Sequence, residues 1–264
     1  MKKKTANSVV SVLVLGLIAA LGGAFNTIQQ SDSNHSNPPT VSQNKTVNSD
    51  QLTKLQFRSG DPAYRIVNHN QSTLNTKSWR INEIKYGELD RLNRTTTATG
   101  YLEKRNLVRS NTRTRQTWNP TGWHQKQVNL NGRRVEVQNR GHLLAYSITG
   151  KFNEDGTYDN GSLGSLDNPK NLATQTEYSN QRTMQLFEEK VRDALIQNKK
   201  VIYQVTTIFK GNELMPRSYH VQAISTDKTL NFNVLVWNVE PGVQFDYQTG
   251  RSRTNQQWKV QEVN

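Results

Sequence analysis

The sequence predicts an α+β fold in which a hairpin, a long loop and one helix precede an antiparallel sheet, and three observations predict it. Val201 to Phe209, Ser218 to Ser225 and Leu230 to Val239 are rich in β-branched and aromatic residues and are separated by turn-forming stretches, as consecutive antiparallel strands are. Gln181 to Asn198 places Met184, Phe187, Val191, Ala194 and Leu195 at helical intervals, so one face of a helix is apolar. Asn131-Gly132 is a two-residue hairpin signal, and Arg134 to Gln138 behind it alternates like a half-buried strand.

The chain of 264 residues is long enough for one or two domains. No internal repeat and no second linker is visible, so residues 56–264 are expected to form one domain. Hydrophobic content is only 33%, but five Trp, nine Tyr and seven Phe supply large side chains for a core. Lys2, Lys3 and Lys4 followed by the apolar run from Val9 to Phe25 read as an export signal, with residues 1–25 either a cleaved signal peptide or an uncleaved membrane anchor. Residues 26–55 are mostly Ser, Asn, Gln, Thr and Pro, which bury too little apolar surface to offset the entropy of ordering, and read as a flexible tether. The expected location is extracellular, or anchored on the outer cell surface.

With no cysteine, the chain has no disulfide framework, no thiolate metal site, no cysteine nucleophile and no lipidated N-terminal Cys. The formal net charge is +13, of which Lys2, Lys3 and Lys4 contribute three. Such a chain attracts anions, and on charge alone nucleic acid competes with an anionic cell wall or membrane surface.

Phosphodiester hydrolysis needs an activator for the nucleophile, a metal or cationic clamp on the phosphate, and a proton for the leaving oxygen. Five histidines are candidates for the first role: His35, His69, His124, His142 and His220. His35 lies in the tether, and a lone His is more often structural than catalytic. His142 has the context, ending Asn139-Arg140-Gly141-His142, where glycine permits a tight turn and Arg140 brings a phosphate-pairing fork. Asn171, Asn180, Glu188 and Arg192 follow. Residues 180, 184, 188 and 192 are spaced i,i+4, so Glu188 and Arg192 should neighbour one another on the side that carries Asn180; the alternative for that pair is an ordinary ion pair on a helix surface.

In Thr121-Gly122-Trp123-His124-Gln125, Asn139 to His142, Asn171 to Gln175, Asn180-Gln181, Phe187 to Leu195 and Leu230 to Val239, the chain resembles the DNA/RNA non-specific endonucleases, within them the DNA-entry nucleases and secreted DNases of Gram-positive bacteria. The resemblance runs from about Leu55 to the end. It implies a ββα-metal finger packed on a central antiparallel β-sheet. It makes His142 the general base, Asn180 the direct ligand of one metal ion, Asn171 a site-organising residue, and Glu188 and Arg192 the supports of metal water and phosphate. Mg²⁺ is the implied ion, with Mn²⁺ as a second choice, and DNA the implied partner, with RNA beside it. Products carrying 5′-phosphate ends are implied as well.

The residues themselves agree. A neutral amide oxygen leaves most positions of a hard cation to water and substrate, and neutral imidazole accepts a proton near pH 7. No acidic cluster flanks His142 or Asn180, which favours one metal over two. Arg109, Arg113, Arg115, Arg133, Arg134 and Arg140 form a basic stretch interleaved with Trp118 and Trp123; Arg113 and Arg115 are the expected phosphate-positioning pair, and both tryptophans are expected in the core. Glu154-Asp155-Gly156 lacks the alternating acids of a calcium loop and reads as an exposed loop. One position departs from the family, whose turn begins with Asp where this chain has Asn139. A carboxylate there would favour protonated imidazole, and its loss leaves a non-catalytic DNA-binding protein of the same fold as the alternative. A peptidoglycan-associated binder is a third reading, but it gives no reason for the series His142, Asn171, Asn180.

Overall fold

The computed structural model describes residues 49–109, 115–161 and 166–262. In chain order these form α1 (Ser49–Leu52), β1 (Tyr64–Ile66), β2 (Glu83–Tyr86), β3 (Thr97–Leu102), β4 (Gln127–Leu130), β5 (Arg133–Glu136), β6 (Asn139–His142), α2 (Tyr146–Thr149) and β7 (Leu172–Gln175). A π-helical turn over Ser179–Met184 then leads into α3 (Gln185–Ile196), β8 (Val201–Ile208), β9 (Ser218–Ser225), β10 (Asn231–Trp237), β11 (Val243–Asp246) and β12 (Arg251–Thr254). The expected signal or anchor, and the tether up to residue 48, lie outside the described residues.

Six strands make the central sheet in the order β1-β10-β9-β8-β3-β2, with every neighbouring pair antiparallel. Its two faces follow from the alternation of side chains along each strand. Tyr203, Val205, Tyr219, Val221, Ala223, Phe232, Val234 and Val236 point into the main core. Leu235, Trp237 and Ile208 point the other way, into a smaller core with Leu52, Val67 and Val239. β10 therefore reads as a continuous apolar run, because its end is covered on both faces. Leu52 corrects the expected tether: its side chain is buried, so the ordered domain begins before residue 55.

The ββα-metal finger lies on the main core. Its strands are β6 and β7, paired antiparallel with His142 opposite Leu172 and Asn139 opposite Gln175. The segment Asn139 to His142, expected as a turn, is thus a strand, since its backbone ladder is completed by residues far along the chain. The Asn131-Gly132 hairpin is present as β4–β5, both turn residues having positive φ (51° and 83°) as the tight turn requires, but it stands beside the finger. Met184, Phe187, Val191, Ala194 and Leu195 are all buried, as their spacing predicts. The helix is shorter than expected and ends at Ile196; Asn198 takes the left-handed position (φ 68°), and the Lys199 and Asn198 N–H groups return to the Ala194 and Leu195 carbonyls.

Two local devices fix the finger. The Gln175 side chain lies over Gly141 and donates to Ser179 Oγ at 3.1 Å, tying β6 to the π turn. A Cβ on Gly141 would stand 2.1 Å from Gln175 Oε1 and 2.6 Å from its Cβ. At the start of the helical segment, Thr176 Oγ1 accepts the Ser179 N–H at 3.0 Å and Glu240 Oε2 accepts the Tyr178 N–H at 2.7 Å. Glu240 is fully buried, with Arg133 Nη2 at 3.5 Å as its only ion-pair contact among the described residues. Burial pushes its carboxyl up to about 8, with Glu177 adding to the rise and the Tyr178 N–H and Arg133 opposing it.

Gly141→Ala should destabilise the domain by about 1–3 kcal/mol, the usual cost of forcing extra volume into a packed site, read as a lower Tm. An unchanged Tm would mean that Gln175 moves aside at no cost. Glu240 sets a pH dependence. Between about pH 4.5 and 8 the unfolded chain has released this proton while the folded chain keeps it, so stability falls as pH rises through that window. Glu240→Gln should flatten that fall in denaturation curves measured across the window; an identical slope in both proteins would show that Glu240 ionises normally.

Candidate active site

One large cleft, about 1020 Å³, opens between the β5–β6 region and the helical segment. Asn139, Arg140 and His142 contribute from the strand side, and Asn180, Glu188 and Arg192 from the helical side. Five residues expected to act together, Arg140, His142, Asn180, Glu188 and Arg192, thus share one cavity with Asn139, and no other described histidine reaches it. His69 and His124 are exposed, and His220 is held on the sheet by Asn233 Oδ1 at 2.7 Å, with burial lowering its pKa.

The π turn explains how the helix presents its residues. A straight α-helix through 180, 184, 188 and 192 would put Met184 on the cleft side. The wider turn over Ser179–Met184 instead buries Met184 in the core and leaves Asn180 and Gln181, then Gln185, Glu188 and Arg192, along the cleft.

Asn171 lies outside the cleft, fully buried behind it. Its Oδ1 accepts the Leu144 N–H at 3.0 Å, its Nδ2 donates to the Leu144 carbonyl at 3.2 Å, and its own carbonyl accepts the Leu143 N–H at 2.8 Å. These bonds fix the chain as it leaves His142. Gln138, next to Asn139, does similar work for the 121–125 motif: its Nε2 donates to the Gly122 and Gly250 carbonyls at 3.2 and 2.8 Å.

Arg140 is committed to the protein. Its Nε donates to the Trp118 carbonyl at 2.7 Å, its Nη2 to Asn119 Oδ1 at 2.6 Å, and its guanidinium lies 4.7 Å from the centroid of the Trp123 ring. Trp118 is 39% exposed, against the core placement expected for it, because this segment is held by its backbone and the indole is left outside. Trp123 is half-buried and walls the cleft. Arg115 is exposed and is not among the residues lining the cleft, and Arg113 lies outside the described residues.

Three contacts escaped the sequence. The Leu166 carbonyl stands 2.9 Å from His142 Nε2, and Gln116 Nε2 donates to the same carbonyl at 3.1 Å. Asp167 accepts the Thr117 and Trp118 N–H groups at 3.0 and 2.9 Å, holding its carboxyl below the usual range although partial burial opposes this. No spacing rule links Gln116 to Leu166 and His142, since loops bring them together. The Asn139 Nδ2 is buried with no hydrogen-bond partner among the described residues.

Asn180 and Glu188 offer oxygen donors, and among the described residues no group of three or more His, Cys, Asp or Glu is placed to cage a metal. That donor set fits a hard divalent ion held largely by water and substrate oxygen.

The matches to known proteins agree with this geometry. The family model for DNA/RNA non-specific endonucleases matches residues 59–264. A deoxyribonuclease of Streptococcus dysgalactiae subsp. equisimilis is 26% identical over 198 residues, which cover 64% of this chain and 60% of the relative, so the chain spans less than two thirds of that protein. Crystal structures of NucA from Streptococcus agalactiae, one with magnesium bound and one without metal, align with TM-scores of 0.64 and 0.63 at 32% and 31% identity, covering 76% of this chain and 89% of theirs. By the family match across most of its length, and by the finger and cleft it builds, this chain belongs to the DNA/RNA non-specific endonuclease family.

Proposed function

We propose that the chain is an exported, sugar-non-specific endonuclease that hydrolyses DNA, and RNA by the same chemistry, with one divalent metal and His142 as general base. The observation that carries this reading is the convergence of His142 with Asn180, Glu188 and Arg192 on a single cleft from opposite walls. The family membership and the magnesium-bound relative support Mg²⁺ as the ion; Mn²⁺ is the proposed substitute.

His142 takes a proton from the attacking water as the new bond to phosphorus forms. The bond from phosphorus to the 3′ oxygen breaks and the departing oxygen takes a proton from a water in the cleft, leaving a 5′-phosphate on one product and a 3′-hydroxyl on the other. Asn180 would hold the ion through its amide oxygen, and Glu188 would orient the surrounding water. When bound, the ion supplies charge neutralisation at the phosphate and acidifies the water it carries. Arg192, on the same wall, pairs with a phosphate oxygen. Asn171 organises the site from behind, and Arg140 contributes by holding the 118–119 segment as well as by its charge. Arg113 and Arg115 remain the proposed phosphate-positioning pair. Residues 1–25 deliver the domain across the membrane, as a cleaved signal or as a retained anchor.

The direct test is cleavage of plasmid DNA with Mg²⁺ against the same protein in EDTA. His142→Ala should lower the rate by about 10²- to 10⁴-fold while duplex affinity, which rests on the basic surface, stays nearly intact. Asn180→Ala should lose metal-dependent cleavage with little recovery at higher Mg²⁺. Full activity in either variant would remove that residue from the mechanism.

The second reading, a catalytically impaired DNA-binding protein, is favoured by one observation: Asn139 stands where the family has Asp, and its Nδ2 is an orphaned donor. Because the carboxamide oxygen can accept the same hydrogen bonds as a carboxylate, the natural chain should be active and Asn139→Asp should change the plateau of kcat/KM little. Cleavage that appears only in Asn139→Asp would instead establish the impaired reading.

A further inference from the structure

We infer that Arg182 binds a backbone phosphate of the nucleic acid away from the bond that is cut; this rests on the nuclease reading for its ligand and on the charge pairing of the cleft for the residue. Four arginines line the cleft: Arg133, Arg140, Arg182 and Arg192. Arg133 is paired with Glu177 at 3.0 Å and faces Glu240 at 3.5 Å. Arg140 spends Nε on the Trp118 carbonyl and Nη2 on Asn119. Arg192 is the proposed partner of the phosphate being cut. Arg182 is exposed, and among the described residues neither an ion pair nor a hydrogen bond takes up its guanidinium. The carboxylates around it are engaged elsewhere: Glu177 by Arg133, Glu136 by Gln127, and Glu189 by Gln185 at 2.8 Å. Arg182 is thus a cation of the cleft wall that the fold itself leaves unused.

Its place is fixed all the same. Arg182 lies two residues past Asn180, inside the π turn whose entry Thr176 and Glu240 hold. Its charge reaches Tyr178, another residue of the cleft wall: burial raises that phenol's pKa, the Glu262 and Glu240 carboxyls add to the rise, and Arg182 opposes it. Because the backbone is already ordered, gripping a ligand costs the entropy of one side chain only. Ten residues separate Arg182 from Arg192, about 15 Å of helix at about 1.5 Å per residue, whereas one nucleotide adds about 3.4 Å along a duplex axis. The two guanidiniums therefore address different phosphates, Arg192 at the bond that breaks and Arg182 further along the strand. Such a contact positions the backbone without reading bases, and phosphate is the part of the strand that DNA and RNA share, as a sugar-non-specific enzyme requires.

The experiment is fluorescence anisotropy of a labelled DNA duplex titrated with the full chain in EDTA, over a range of salt concentrations, beside steady-state cleavage of plasmid DNA with Mg²⁺. Lys190→Ala is the control, since Lys190 is exposed on the same helix but lines a different groove, with Tyr64 and Phe187. Arg182→Ala should flatten the slope of log K against log [salt] by about 0.9 and weaken binding about fivefold at about 0.15 M salt, as the loss of one phosphate contact does. Arg182→Lys should restore the slope. In cleavage, Arg182→Ala should raise KM by a similar factor and lower kcat less than twofold, at unchanged Tm. A slope unchanged in Arg182→Ala overturns the inference, and so does an equal flattening in Lys190→Ala, which would mean that net charge alone counts. Should the wild type cleave nothing while its salt slope still depends on Arg182, the nuclease reading fails and the phosphate contact stands.

Discussion

The site depends on one buried amide. Asn171 pairs through both ends of its side chain with the backbone of Leu144 and through its own carbonyl with Leu143, at 2.8–3.2 Å. In effect it extends the β6–β7 ladder by one more pair after His142, where the two strands part to admit a long insertion. The groups it satisfies are sealed from water, so each would cost about 1–3 kcal/mol if left unpaired. That constraint sends Leu143 and Leu144 into the core and leaves His142, the residue before them, facing the cleft. A polar residue fully buried behind the cleft is thus what aims His142 into it.

The helical wall obeys a second constraint. Five apolar side chains of the segment must meet the sheet, yet Asn180 must reach the cleft from the first turn. A uniform α-helix cannot serve both with this spacing. The extra residue accommodated by the π turn resolves the conflict, and Thr176 and Glu240 hold its entry by taking the N–H groups of Ser179 and Tyr178. The protein tolerates a buried carboxyl at Glu240 because that group anchors the turn, at a cost that grows with pH.

How much of this was legible in the sequence follows from which forces are local. The strands β8, β9 and β10 and the apolar face of α3 were readable because period-two and period-3.6 patterns report burial directly. The Asn131-Gly132 hairpin was readable because its turn chemistry lies in two adjacent residues. β6 and β7 were not, since each is four residues long and exists only through the other. The π turn was invisible because no residue type encodes it; it arises from the compromise between core and cleft. Gln116, Leu166 and Asp167 were missed because two loops bring them together near His142 and each contact has a backbone atom at one end, which carries no side-chain signature.

The arginines show why charge and mechanism have to be separated. A net charge of +13 attracts phosphate without saying where it binds. Arg133 spends its guanidinium on Glu177 at 3.0 Å and faces Glu240, and Arg140 spends two of its nitrogens on Trp118 and Asn119. Both line the cleft, and both brace it. Arg192 lines the cleft from the helical segment with Asn180 and Glu188, while His142 lines it from strand β6. The helical segment and strand β6 are linked by Gln175, which lies across Gly141 and donates to Ser179 Oγ, so the separation of His142 from Asn180, Glu188 and Arg192 is set by the packing of the finger itself.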